Sequence, residues 1–264
     1  MLAKEYLCKV IAKSWLTPSV IELKFEPAKK FSFQPGQFFS LKVPSLSLEK
    51  GYLMRLYSFS TSPERARADG FEMCVKYVPG GAGSRYLESL QVGDRFRMVA
   101  PYGDFQYRVP EAGKSVCFIS TGTGIGPVRS MILSRPFLEN PPERALCLFG
   151  ARTRDELLYR QEFEKVGVES VYALSRDITA TDTFHGRVTD FLVESATRWN
   201  WHKSDYYLCG NAEMIREAYL ILTSRYGVSE RNIYKENFSS PKHPARVEAP
   251  APSAWAPAAG VLYR

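Results

Sequence analysis

Three stretches carry residues suited to chemistry. The first, 55-RLYSFSTSP-63, sets a cation, a phenol and hydroxyls on strand-like positions beside a turn. Arg55, Tyr57 and Ser58 together suit an anionic, aromatic ligand lying along the end of a strand. The second, 119-ISTGTGIGPVRSMI-132, follows an apolar run and opens a helix. Small residues there let the backbone approach a phosphate, while the helix N-terminus supplies free N–H groups and partial positive charge. Pro127 fits such a first turn, because its missing N–H would have no partner. Glycines at 122, 124 and 126 depart from GxGxxG spacing, so a turn without a ligand is the competing reading. The third stretch, 80-GGAGSRYLESL-90, repeats the pattern on a smaller scale, with Ser84 as the expected cap of a short helix.

A dinucleotide-binding strand for NAD would carry an acidic residue about 20 residues further on. Here the second strand of that half ends in 150-GARTR-154 and the third in 174-LSRD-177. Cations and hydroxyls at those ends favour a ribose bearing an extra phosphate, NADP over NAD; ordinary solvated charges are the alternative.

Two kinds of element must position these residues. Up to about Pro110, short segments such as 6-YLCKVIA-12, 19-SVIELKF-25, 37-QFFSLKV-43, 55-RLYSFS-60, 71-FEMCVKYV-78 and 95-RFRMVA-100 alternate with turn signals, and 84–90 fits one short helix. Strands recurring this often leave no room for crossover helices, which predicts an antiparallel barrel or sandwich. After Gly113 the rhythm changes. Apolar runs at 115–120, 145–150, 170–175 and 206–210 each precede a helical pattern, at 127–135, 154–166, 186–199 and 211–226, and a short strand follows at 232–238. That alternation predicts a parallel sheet covered on both faces, with the boundary near residues 110 to 114.

Composition narrows the class. The chain has 264 residues, enough for two domains, and a net charge of +7. The charge is spread out and forms no basic arm, which argues against a dedicated nucleic-acid protein. No run reaches the roughly 18–20 apolar residues of a membrane helix, and the first residues read as a strand, so the cytoplasm is expected. Cys8, Cys74, Cys117, Cys147 and Cys209 are odd in number and widely spaced. That spacing opposes a disulfide framework, a zinc site and an iron–sulfur cluster. His185, His202 and His243 form no ligand pair, and no metal is expected.

Over roughly residues 5 to 238 the chain resembles the ferredoxin–NADP reductase family. The matching elements, in the family's order, are 55-RLYS-58, 80-GGAGS-84, 121-TGTGIGP-127, 150-GARTRDELLY-159, 175-SR-176, 208-LCGN-211 and 236-ENF-238. The resemblance implies a six-stranded antiparallel β-barrel for FAD over residues 1–111. A doubly wound parallel α/β domain for NADP(H) would occupy 112–238, and an Ala/Pro-rich tail 239–264. It also implies roles. Arg55 would pair with a flavin diphosphate oxygen, Tyr57 would stack on the isoalloxazine, and Leu56 would belong to the same contact. The Ser58 hydroxyl would sit near the flavin nitrogen that receives hydride. Cys74, Val75 and Lys76 would run past the ribityl and diphosphate, and Gly81, Ala82, Gly83 and Ser84 would bind the diphosphate. Thr121, Gly122, Thr123 and Gly124 would form the NADP diphosphate turn, and Arg152, Ser175 and Arg176 would bracket the ribose phosphate. Cys209, Gly210 and Glu236 would line the nicotinamide pocket, with Ser58, Cys209 and Glu236 closest to the chemistry. Phe238 matches an aromatic position beside the flavin. Because about 26 residues follow it, Trp255 and Tyr263 are further candidates for covering the ring.

The activity so implied is electron transfer between NADPH and an acidic one-electron carrier, ferredoxin or flavodoxin, by a monomer. Two alternatives stand beside it: the reductase component of an oxygenase or hydroxylase, and a flavin-binding electron-input subunit of a larger complex.

Overall fold

A computed structural model of the chain describes residues 2–238 except 178, 180 and 196–198. The readings placed on the tail, including Trp255 and Tyr263, lie outside the described residues.

Six strands form the first sheet: β1 (Lys4–Thr17), β2 (Val20–Pro27), β3 (Phe38–Pro44), β4 (Tyr52–Ser58), β5 (Phe71–Lys76) and β6 (Arg95–Tyr102). They pair antiparallel in the order β4-β3-β6-β1-β2-β5. Alternate residues point inward, so Ile21, Leu23, Phe25, Phe39, Leu41, Met73, Val75, Phe96 and Met98 share one core. Phe25 anchors it, with ring centroids 5.1 Å from Phe96 and 5.7 Å from both Phe39 and Phe71. Burying one such ring contributes about 1.5–3 kcal/mol. The Ser60 N–H donates to the Glu72 carbonyl at 2.8 Å, bringing the two outer strands β4 and β5 together so that the sheet curls over this core. Two helices, α1 (Pro63–Asp69) and α2 (Ala82–Ser89), connect these strands.

The second sheet is parallel: β7 (Ser115–Thr121), β8 (Ala145–Ala151), β9 (Glu169–Leu174), β10 (Phe184–His185), β11 (Ser204–Gly210) and β12 (Ile233–Asn237), in the order β10-β9-β8-β7-β11-β12. Its central strands are buried along their length, as a sheet with helices on both faces requires. Val116 and Phe118 face α3 (Ile125–Ile132), α4 (Arg135–Glu139) and α5 (Arg160–Lys165); Cys117 and Ile119 face α6 (Val188–Glu194) and α7 (Ala212–Leu220). The chain runs outward from β7 to β10 and then crosses back to β11. The strand order therefore reverses at the carboxyl end of β7, where such sheets bind ligands.

Several expected elements differ. Pro136 has no N–H to continue the helix expected over 127–135, which ends at Ile132 and restarts as α4. The helix expected over 154–166 is a single 3₁₀ turn followed by the short α5, because Tyr159 adopts φ 57° just before it. Among the described residues the pattern at 186–199 is helical over Val188–Glu194, and the one at 211–226 widens into a π turn at Ile221–Arg225. Helix α1, started by Ser62 and Pro63, and the two-residue β10 were not anticipated from the sequence.

Candidate functional site

The polar strand β4 and the turn at 80–83 meet face to face. A Cβ added to Gly83 would stand 2.4 Å from the Tyr57 Oη and 3.0 Å from the Arg55 Cγ, so only glycine lets α2 begin this close to the strand. No acidic residue occupies the first turn of α2, and its leading N–H groups lie beside the Arg55 side chain. A guanidinium, a phenol and a helix start without carboxylates form a donor set that fits a diphosphate attached to an aromatic ring. Ser84 does not cap the helix as expected. The cap position belongs to Gly81, and the Ser84 hydroxyl turns back to accept from the Val78 N–H and donate to the Val78 carbonyl, both at 3.1 Å. Ser84 thus shapes the turn, its hydroxyl committed to Val78.

On the parallel sheet, β7 runs through Thr121 into a 3₁₀ turn, Gly122–Gly124, and then α3. Gly124 is pressed against β11: a Cβ there would lie 2.5 Å from the Cys209 carbonyl oxygen. The Thr121 hydroxyl accepts from the Asn211 N–H at 3.1 Å, tying the ends of β7 and β11 together. Space around Gly122 is open, and α3 has no acidic residue in its first turn, which fits a second diphosphate. Further along the sheet, the Arg176 N–H donates to the Arg152 carbonyl at 2.9 Å, and Ser175 lies between Arg176 and the end of β9. These three residues form one exposed rim. Arg152 is already paired: its guanidinium grips Glu156, and Glu156 reaches the Lys76 Nζ of β5 at 3.9 Å. Arg176 has no side-chain partner among the described residues.

The two halves touch at their polar ends. The Ser58 hydroxyl, at the end of β4, donates to Glu236 Oε1 on β12 at 3.2 Å. Burial pushes the Glu236 carboxyl up to about 7, and the Ser58 hydrogen bond offsets part of that rise. Cys209 is the register partner of Glu236 on β11 and is fully buried. Burial, with Glu236 and Cys74 nearby, holds its thiol well above the usual range, so at neutral pH it is a neutral, space-filling group. Phe238 follows directly, its N–H donating to the Gly210 carbonyl at 2.8 Å.

The structure thus gathers Arg55, Tyr57, Ser58 and Gly81–Ser84 on one side and Thr121–Gly124, Cys209, Gly210, Glu236 and Phe238 on the other. Leu56 is 63% exposed and points away from Tyr57, Val75 points into the barrel core, and the Cys74 thiol faces the Thr123 carbonyl at 3.8 Å. Val75 and Cys74 thus have their side chains turned inward, whereas the Leu56 side chain is open to solvent. Beside Glu236 lies a cavity of about 390 Å³ whose lining includes Phe38, Gly103, Phe105, Arg108 and Tyr234; of the expected site residues only Glu236 borders it. A Cβ on Gly103 would stand 2.8 Å from the Phe38 ring and 3.7 Å from Glu236 Oε2, so Phe38 and Gly103 back the carboxylate. Sequence reasoning missed both; the turn signal Pro101-Tyr102-Gly103 was the available hint. No group of His, Cys, Asp and Glu among the described residues could hold a metal ion, and no helix among them is long and apolar enough to cross a membrane.

Comparison with known proteins bears on the same residues. Residues 7–107 match the oxidoreductase FAD-binding domain family, and residues 118–219 the oxidoreductase NAD-binding domain family. Ferredoxin–NADP reductase B of Sorangium cellulosum (strain So ce56) is 30% identical over 247 residues, covering 89% of this chain and 98% of its own. The phenol 2-monooxygenase reductase component of Pseudomonas sp. (strain CF600) is 32% identical over 246 residues; this chain spans 66% of its length, and 89% of this chain is matched. A ferredoxin NADP+ reductase from Neisseria gonorrhoeae, solved with bound FAD and NADP, superposes with a TM-score of 0.76 over 89% of this chain and 98% of its own. At 19% identity that likeness speaks to the fold alone.

Proposed function

We propose that this chain, which belongs to the ferredoxin–NADP reductase family, passes electrons between NADPH and a small acidic one-electron carrier such as a ferredoxin or flavodoxin. It is an NAD(P)H-dependent flavoprotein oxidoreductase with an FAD-binding and an NAD(P)-binding domain. When bound, FAD supplies the means to accept a hydride and release single electrons.

The chain's own residues bind, orient and handle protons. Arg55 and the first N–H groups of α2, over Ala82–Ser84, would hold the flavin diphosphate, and the Tyr57 ring would offer the isoalloxazine a stacking face. Leu56 and Cys74–Lys76 would line the same cofactor, with Phe238 beside it. The Thr121–Gly124 turn takes the NADP diphosphate, and Gly210 lets it approach the end of β11. Arg176 and Ser175, with Arg152 at the rim, take the ribose phosphate, which supports NADPH as the electron donor. Burial pushes the Glu236 carboxyl up to about 7, which favours a proton on it beside the Ser58 Oγ. The neutral Cys209 thiol excludes water behind them.

One observation carries this reading: the 3.2 Å bond from Ser58 to Glu236 joins the strand end suited to flavin with the strand end suited to nicotinamide. Purifying the protein, releasing its cofactor by denaturation and comparing NADPH with NADH as reductant tests it. FAD and a faster reaction with NADPH are expected; a colourless protein that takes up no added FAD would contradict the reading. With a net charge of +7, reduction of an acidic carrier should slow between low and moderate ionic strength, and a flat response would exclude such a carrier. The protein would work as a cytoplasmic monomer.

A second reading has an observation of its own. The phenol 2-monooxygenase component matches across both domains at an identity similar to that of the reductase. An oxygenase reductase would use the same residues and pass electrons to a separate iron–sulfur partner, because the five cysteines here lack cluster spacing. Turnover with ferredoxin or flavodoxin against turnover with an oxygenase component separates the two. An electron-input subunit would instead show low turnover when purified alone.

A further inference from the structure

Behind both nucleotide sites lies a buried ionic cluster that none of the roles above uses. Its centre is Arg129, on the helix that opens from the Thr121–Gly124 turn and only 5% exposed. The guanidinium commits four of its five N–H donors. Nη1 donates to the Ser60 carbonyl at 2.8 Å and to Glu72 Oε2 at 2.6 Å; Nε and Nη2 donate to the two oxygens of Glu162, both at 2.9 Å. The ring of Tyr159 lies under it, 4.4 Å from the guanidinium carbon to the ring centroid. The Tyr159 hydroxyl donates to Glu22 Oε1 on β2 at 2.8 Å, and the Ser130 hydroxyl to the Thr61 carbonyl at 2.7 Å. Lys24 and Arg65 complete the rim, 3.7 Å from Glu72 and 3.5 Å from Glu162.

The placement of these bonds matters more than their number. Ser60, Thr61, Glu72 and Glu22 belong to the barrel half, whereas Arg129, Ser130, Tyr159 and Glu162 belong to the sheet half. Ser60 follows Ser58 by two residues, and Arg129 lies within two turns of Gly124. One rigid fork therefore links the segment carrying Ser58 to the helix whose first turn forms the nucleotide cradle. Gly126 continues the same seam, since a Cβ there would stand 2.9 Å from the Cys74 Sγ. Tyr159 adopts a left-handed backbone, φ 57°, which is unfavourable for a non-glycine residue. The chain accepts that cost at the position that sends a phenol across the seam. A buried ion cluster is a weak source of net stability, but its directional bonds fix geometry.

We propose that Arg129, seated on Tyr159, is a positioning residue for hydride transfer: it holds the Ser58 segment and the Thr121–Gly124 turn at the spacing that lets the two cofactor rings meet. This rests on the flavin and NADPH sites described under Proposed function. Because a misplacement of about 1 Å can cost on the order of 100-fold in rate, a loosened seam should slow transfer without weakening either ligand.

The test is anaerobic mixing of the FAD-loaded protein with saturating NADPH, following flavin bleaching. R129Q should lower the saturated rate by about 10-fold or more. Its NADPH affinity, its flavin content and the rate at which dithionite-reduced protein passes electrons to ferricyanide should each stay within about 2-fold. Y159F keeps the ring beneath Arg129 and deletes the hydroxyl that bonds Glu22 and also reaches the Cys74 thiol across the seam; it should slow bleaching about 3-fold, and it decides the matter if R129Q does not fold. Saturated rates within about 2-fold of wild type in a variant whose only defect is a lower melting temperature would overturn the proposal. So would loss of flavin or of NADPH affinity in step with the rate. If the wild-type protein itself is not bleached by NADPH, the functional reading fails and the clamp with it; normal bleaching in wild type and variants alike removes the clamp alone.

Discussion

The glycine turn before α2 is walled in, with Gly83 against Tyr57 and Arg55, whereas the turn after β7 leaves Gly122 facing open space. The outer cations differ in the same sense. Arg152 has 51% of its side chain exposed, and Arg176 is exposed beside it, while Arg55 is only partly exposed at the foot of the barrel. Both clasps use the same physics, a helix start without acidic residues; the first has Arg55 beside it, and the second shares its sheet edge with Arg152 and Arg176 at the neighbouring strand ends. The tight one suits a cofactor that stays bound, and the open one suits a substrate that must leave each cycle.

Breaking the tight clasp should have the largest effect. Gly83→Val places a side chain where even one carbon would meet the Tyr57 hydroxyl at 2.4 Å. Overpacking of that kind costs about 1–3 kcal/mol, so flavin affinity should fall about 10- to 100-fold. Flavin content after gel filtration measures it, and full retention would show that the turn is not the diphosphate site. Loosening the open clasp should cost less. Arg176→Ala should raise the Michaelis constant for NADPH about 10-fold, the value of one charge-assisted contact, with kcat nearly unchanged. An unaltered preference for NADPH over NADH would place the phosphate pocket elsewhere.

The seam between the clasps is read in stability and not in ligand binding. In the folded protein the Glu236 carboxyl is raised from 4.5 to about 7 by burial, so the native state holds its proton more tightly than the unfolded chain does. Its contribution to stability is therefore fully present below about pH 4.5 and is lost as the pH rises through about 7, by up to about 3 kcal/mol. Glu236→Gln should flatten that decline in melting temperature across the same window. An identical decline in the variant would mean that Glu236 does not titrate there.

The contrast also explains how much could be read from the sequence. Both helix starts, and the strand carrying Arg55, Tyr57 and Ser58, were visible because a short stretch of chain determines each. The alternation of apolar runs with helical patterns likewise marked the second sheet. The failures were tertiary. Ser84 has the side chain of a cap, yet it bonds back to Val78 because Gly81 starts the helix. A helical pattern spans 154–166, yet Tyr159 turns left-handed to reach Glu22, a residue 137 positions away in the chain. Arg129 looks like one more charge on an amphipathic helix, and only the fold shows that three segments, two of the barrel and one of the sheet half, converge on it. Phe38 and Gly103, behind Glu236, are hidden for the same reason.

The most direct check of the central claim, that a flavin held against Tyr57 meets a nicotinamide presented beside Cys209 and Glu236, is anaerobic titration of the yellow protein with NADPH while its visible absorbance is recorded. Stoichiometric bleaching by NADPH, at a rate well above that with NADH, is the predicted result. A flavin that stays oxidised with NADPH yet is bleached by dithionite would contradict it.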